Sequence, residues 1–170
     1  MLSSFQPISS PDSIILILGS MPGVKSLDAQ QYYAHPRNLF WPFMGQLFNF
    51  DDNVSYQEKS NQLKKNKVAI WDVLQNCLRD GSLDSDIKTE SIVTNDFLKF
   101  YQQHKQIKQV FFNGQKAMTV YNKLVLPNVS LHYPYIEHIG LPSTSPANAS
   151  IKREEKFKRW QVVNHHNTKN

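Results

Sequence analysis

Ile14-Ile15-Leu16-Ile17-Leu18 opens the stretch that decides the fold, and residues 19–41 continue it as GSMPGVKSLDAQQYYAHPRNLFW. Five aliphatics in a row, bounded by Pro11 and Gly19, offer no polar face to water and predict a strand buried on both sides, as in a parallel sheet. The segment behind it differs from an ordinary surface loop. Pro22 and Gly23 set a turn, and two tyrosines, a histidine, an arginine and an asparagine follow before Phe40 and Trp41. Aromatic faces, a cation and an amide crowded behind a buried strand are the ingredients of a pocket for a flat, polar ring.

Three further apolar runs predict strands at 68–71, 109–112 and 136–141. Helical character lies between them. Residues 40–48 predict a short helix starting near Pro42, and 55–65 a polar one with Leu63 inward. Thr94 or Asn95 is placed to cap a helix through Phe97, Leu98 and Tyr101 to His104. Gly114 opens 115–124, which ends before Pro127, and 152–163 puts Phe157, Trp160 and Val163 or Asn164 on one face. The alternation predicts a single α/β domain over 1–170, a three-layer α/β/α sandwich around a mainly parallel four-stranded sheet, with a flexible tail from about 165. Ligands of such sheets sit at the carboxyl ends of the strands. There the chain carries Gly19–Trp41, then Asp72-Val73 and Arg79-Asp80-Gly81-Ser82-Leu83-Asp84, then Asn113-Gly114, and last Pro142-Ser143-Thr144-Ser145-Pro146-Ala147-Asn148.

Composition narrows the function. At 170 residues, with 40% hydrophobic and 19% charged residues, the chain has enough apolar surface for a core. No apolar run approaches the ~18 residues of a membrane helix, and Met1–Phe5 has no basic leader, so a cytoplasmic protein with no membrane partner is expected. Cys77 is the sole cysteine, and the histidines form no metal-spaced pair, so no metal and no cofactor are expected. The net charge of +5 and pI near 9.3 suggest a polyanionic partner. Most of that charge falls after Ile151, where Lys152, Arg153, Lys156, Lys158, Arg159 and Lys169 face only Glu154 and Glu155; taken alone, the segment reads more simply as a solvated amphipathic helix with a ragged tail.

Phosphate-binding and nucleophile motifs are absent: GSMPG is followed by no Gly-Lys-Ser/Thr, and neither GxGxxG nor GxSxG occurs. Asn113, at a strand end before a glycine, can donate to and accept from a ring edge at once, or simply favour the turn. The hydroxyls of Ser143, Thr144 and Ser145, stiffened by Pro142 and Pro146, suit a phosphate; an ordinary capping loop has the same residues. Tyr33 and Phe40 suit stacking on a flipped base or a place in the core, whereas Trp41 reads as core. His35 and Arg37 resist burial and face the cleft, and Asn38 at its lip can orient a water.

GSMPGVKSLDAQQYYAHPRNLFW together with LPSTSPANAS resembles the uracil-DNA glycosylase superfamily, in particular its branch of hypoxanthine-DNA glycosylases. Mismatch-specific members have a GxNPG loop, an Asn-x-Phe-Trp element and a late Pro-Ser-x-Ser loop in similar order. Residues 71–74, 81–87 and 112–114 extend the resemblance over nearly the whole chain. One departure stands out: Met21 replaces the asparagine of GxNPG, the residue that holds the attacking water in those relatives. In the hypoxanthine branch that role falls on the HPRN element, here Asn38.

The resemblance implies hydrolysis of the N-glycosidic bond of a deaminated base, hypoxanthine first, flipped from double-stranded DNA, with single-stranded DNA a further substrate. Asn38 would position the water. Asn113, Phe40, Tyr33, Ser20 and Met21 would contact the base, and His35, Arg37, Ser143, Thr144, Ser145, Lys152 and Arg153 the DNA. The bond breaks through an oxocarbenium-like state, so binding the leaving base and stabilising the sugar cation suffice without a strong nucleophile. Among these motifs only Lys25 is a lysine, so a monofunctional enzyme is expected, acting as a monomer with no obligate protein partner. A preference for uracil or xanthine, a DNA-binding module that lost catalysis through Met21, and a nucleoside hydrolase are the competing readings.

Overall fold

Ile15 and Ile17 point to one side of their strand and Leu16 and Leu18 to the other, and the two pairs are buried in different apolar clusters. Burial on both faces makes this strand the middle layer of a sandwich. The computed structural model describes residues 1–168, with side chains described through Asn164. The tail expected at 165–170 lies outside the fully described residues.

The strands are β1 (Leu2–Ser3), β2 (Ile15–Gly19), β3 (Val68–Asp72), β4 (Leu74–Cys77), β5 (Val93–Thr94), β6 (Gln109–Asn113) and β7 (Glu137–Leu141). The main sheet runs β3-β2-β6-β7 with every pair parallel. A small antiparallel sheet, β1-β4-β5, stands beside it. Two of its strands have two residues each, too few for any periodicity to mark.

The helices are α1 (Val24–Ala29), α2 (Phe40–Phe48), α3 (Tyr56–Lys65), α4 (Phe97–Gln103), α5 (Gln115–Leu124), α6 (Leu126–His132) and α7 (Arg153–Trp160), the last continuing as a 3-10 segment, Gln161–Thr168. Phe40, Phe43, Leu63 and Trp160, from α2, α3 and α7, cover the Ile15/Ile17 face; Phe100, Tyr121 and Val129, from α4, α5 and α6, cover the other. The three-layer sandwich expected from the sequence is the one observed.

Local differences have local causes. α2 begins at Phe40, with Pro42 inside its first turn. α5 ends at Leu124, before Pro127 as expected, and a further helix, α6, carries that proline in its first turn, where its missing N–H is no loss. Asp96, not Thr94 or Asn95, caps α4 by accepting from the Lys99 N–H. Asn95 instead donates to the Asp72 carbonyl at 2.7 Å.

Register aligns the strand ends. Gly19 pairs with Asp72, Leu18 with Phe112, and Asn113 with Leu141. The chain leaves β2 for β3 on one side and returns to β6 on the other, so the topological switch point lies between β2 and β6.

Candidate active site

A cleft of about 1460 Å³ opens over those strand ends. Its floor is built from the last residues of three strands. Gly19 ends β2, and a Cβ there would stand 2.6 Å from Asp72 Oδ1 and 3.1 Å from the Tyr33 hydroxyl. Only glycine leaves room for both groups. Asp72 ends β3, is 3% exposed, and its Oδ2 has no hydrogen-bond partner. Burial, seconded by the charge of Asp84 and opposed by Arg79, pushes its carboxyl up to about 7. Asp84 reaches the floor from a 3-10 turn and accepts from the Ser20 hydroxyl at 2.6 Å. Arg79 ties the loop before that turn to the loop after β2 by donating to the Gly81 carbonyl at 2.8 Å and the Pro22 carbonyl at 2.7 Å.

Tyr33 forms a wall of the cleft at some backbone cost. Its φ of 56° lies in the left-handed region, which costs on the order of 1–3 kcal/mol for a non-glycine residue. The twist stacks its ring on Phe40, with centroids 4.0 Å apart and planes at 27°. Burial and then Asp72 raise the pKa of its hydroxyl, while the neighbouring Asn113 amide lowers it; no group hydrogen-bonds it in normal geometry. Tyr33 therefore stays a neutral phenol. Tyr32 beside it is structural: its carbonyl accepts from the Trp41 indole at 2.9 Å and its hydroxyl donates to Gln6 at 2.8 Å.

Asn113 ends β6 and is locked to the loop after β7. Its Nδ2 donates to Thr144 Oγ1 at 2.9 Å, and its Oδ1 accepts the Thr144 N–H at 2.9 Å. The N–H requires an acceptor, so the amide cannot flip. One N–H and one lone pair of the amide stay unused. The Thr144 carbonyl accepts from the Leu39 N–H at 3.0 Å, joining this unit to the segment carrying Asn38. Asn38 Oδ1 accepts the Phe40 N–H at 3.0 Å, which leaves its Nδ2 and a second lone pair. His35 shapes the same turn, its Nδ1 accepting the Arg37 N–H at 3.0 Å.

Loop 142–148 is clamped from behind by α7. Trp160 Nε1 donates to the Pro142 carbonyl at 2.9 Å, and Lys156 Nζ to the Asn148 carbonyl at 2.6 Å. Gly114, with φ of 100°, lets the loop pass: a Cβ there would lie 3.1 Å from Ser143 Cβ. Lys25, Arg37, Lys116 and Arg159 line the mouth of the cleft, giving cations where a polyanion backbone would run.

The residues singled out in the sequence divide accordingly. Asn38, Asn113, Tyr33, Ser20, Met21, His35, Arg37, Ser143, Thr144 and Ser145 all line the cleft. Phe40 does not: it is sealed in the core with 0% exposure, and its one service to the cleft is to back Tyr33. Thr144 faces inward at 1% exposure with its hydroxyl on Asn113, out of reach of a phosphate, while Ser143 and Ser145 remain partly exposed. Lys152 and Arg153 are exposed but lie outside the cleft lining. Asp72, Asp84, Lys25, Lys116 and Arg159 were not among the expected site residues. For Asp72 the signal in the sequence is a carboxylate closing a buried strand. Among the described residues no group of three or more His, Cys, Asp or Glu is arranged to hold a metal.

Comparison with known proteins finds similar chains and a similar fold. A hypoxanthine DNA glycosylase from Methanosarcina acetivorans is 32% identical over 169 residues, 95% of this chain and 97% of that one. A hypoxanthine DNA glycosylase from Methanosarcina barkeri is 40% identical over 114 residues, 66% of this chain and 71% of that one. A solution NMR structure from M. acetivorans, described as a candidate uracil DNA glycosylase, superposes with a TM-score of 0.80 at 33% identity, covering 96% of both chains. Residues 6–164 match the family profile described as the uracil DNA glycosylase superfamily, and the chain belongs to that family.

Proposed function

We propose that this protein is a monofunctional DNA glycosylase that hydrolyses the N-glycosidic bond of hypoxanthine in DNA and leaves an abasic site. The observation that carries the reading is the juxtaposition of Asn38 and Asn113 on one cleft, each with amide valences left over and each oriented by a backbone N–H. The two relatives described as hypoxanthine DNA glycosylases support the choice of base. The target nucleotide turns out of the duplex, most easily at a mispair. The free N–H and lone pair of Asn113 meet the ring edge, and Tyr33 offers its face and its neutral hydroxyl. Asn38 orients the water that attacks C1′, while Arg37, Lys25, Lys116 and Arg159 bind the backbone phosphates. The enzyme acts on duplex DNA as a monomer in the cytoplasm.

The test is alkaline strand cleavage of end-labelled duplexes containing hypoxanthine, uracil or xanthine, with free deoxyinosine assayed alongside. Abasic sites formed first at hypoxanthine support the reading. Abasic sites formed first at uracil or xanthine overturn the base assignment and keep the reaction. Cleavage of free deoxyinosine alone overturns DNA as substrate, and salt-sensitive DNA binding without any abasic product overturns the enzyme.

A further inference from the structure

Two polar atoms buried at the floor of the cleft make no hydrogen bond in normal geometry: Asp72 Oδ2 and the Tyr33 hydroxyl, which has the neighbouring Asn113 amide acting on it. Buried polar groups are paired as a rule, so an unpaired set at a strand end, facing a cleft, calls for a cause. Asp72 is not used as a structural aspartate. Among the described residues no N–H bonds its carboxyl, although Arg79 is near enough to act on it; Nε and Nη2 of that guanidinium bond the Gly81 and Pro22 carbonyls, and its Nη1 has no partner. The other titratable groups around it are Asp84, Tyr33 and, through longer-range interaction, Tyr32 and Tyr56. None adds positive charge. Gly19, by lacking a Cβ, leaves Asp72 Oδ1 and the Tyr33 hydroxyl the room they occupy. A carboxyl kept from N–H donors and set beside a second carboxylate is held as an acid, and burial raises its pKa to about 7.

The geometry points to Asp72 as the general acid of base release, its O–H bonding a ring nitrogen of the flipped purine and passing the proton to it as the base departs. The inference rests on the glycosylase reading above. As the C1′–N9 bond breaks, its electron pair goes to the purine ring, and the Asp72 proton moves to N7 or N3, so hypoxanthine leaves neutral. Water adds through its oxygen to C1′ and loses a proton to solvent. Asp72, left as a carboxylate beside Asp84, takes a proton back from solvent. A proton donor suits a purine, whose ring carries acceptor nitrogens that a departing anion makes basic.

The experiment compares single-turnover release of hypoxanthine and of 7-methylhypoxanthine from otherwise identical duplexes, by wild type and by Asp72→Asn, across pH 5.5 to 9. A 7-methylated purine leaves as a neutral base without any proton, so general-acid help is redundant for it. Asp72→Asn keeps the shape and a hydrogen-bond donor but transfers no proton. The expected result is a loss on the order of a hundredfold or more on hypoxanthine, little loss on the methylated base, and a wild-type hypoxanthine rate that falls as pH rises through about 7, a fall absent from the variant. Equal losses on both bases, with the variant folded by circular dichroism, would overturn the inference by making Asp72 a structural residue. A wild-type rate independent of pH would do the same. Release of neither base by wild type would overturn the glycosylase reading itself, an outcome distinct from either of these.

Discussion

Asn113 and Thr144 hold one another by two hydrogen bonds of 2.9 Å, amide to hydroxyl and backbone N–H to amide oxygen, across 31 residues of sequence. The pair joins the end of β6 to the loop after β7, and the Thr144 carbonyl extends the link to Leu39, next to Asn38. The two asparagines proposed to hold the base and the water are thus set by one hydrogen-bonded unit of three segments.

Thr144→Val keeps the shape and the N–H but removes the hydroxyl. The Asn113 amide then loses its Oγ1 partner and gains freedom to shift. Loss of one buried hydrogen bond costs about 1–2 kcal/mol, visible as a lower denaturation midpoint. The hypoxanthine release rate is expected to fall by roughly tenfold, the effect of a loosened rather than deleted group, with DNA affinity measured by anisotropy unchanged.

Asp72 makes stability depend on pH in a stated direction. Its carboxyl is raised from 3.8 to about 7, so between those values the folded protein holds a proton that the unfolded chain has released. Stability is fully present below about 4, falls as pH rises, and levels off above about 7. Asp72→Asn removes the dependence. Chemical denaturation at pH 5 and pH 8 should show the variant gaining on wild type by up to a few kcal/mol at the higher pH; a wild type equally stable at both would contradict the buried acid.

Lys156 and Arg159 lie three residues apart on α7 and should behave differently toward DNA. Lys156 is buried on the Asn148 carbonyl, whereas Arg159 is exposed at the cleft mouth. Arg159→Ala is expected to lower the slope of log affinity against log salt by roughly one counterion, and Lys25→Ala likewise. Lys156→Met should leave the slope alone and lower thermal stability.

Gly19→Ala tests the floor directly. The new methyl meets Asp72 Oδ1 at 2.6 Å and must displace it or Tyr33. Overpacking of this kind costs about 1–3 kcal/mol, and hypoxanthine release should fall far more than DNA binding, since the cations at the mouth are untouched.

Much of this architecture is legible in the chain. The four apolar runs mark the parallel strands because strands buried on both faces have nothing but apolar residues to show. The loops that close the cleft carry clustered polar and aromatic residues directly behind those runs. What escapes is set by tertiary contact. Phe40 and Tyr33 look alike as stacking partners in sequence, and only helix α2 decides that Phe40 turns inward. Thr144 sits between two serines with nothing to mark it as the one that faces Asn113. The basic segment after Ile151 counts Lys156 with its neighbours, although its ammonium is buried on a carbonyl. Asp72 is a lone carboxylate whose chemistry comes from Gly19, Asp84 and Tyr33, residues brought beside it only by the sheet register.

The most direct measurement is single-turnover release of hypoxanthine from a labelled duplex by wild type and Asn38→Ala, with DNA affinity determined on the same samples. A loss on the order of a hundredfold or more in the variant, with affinity kept, is the predicted result for a residue that orients the attacking water. Release at the wild-type rate by Asn38→Ala would contradict it.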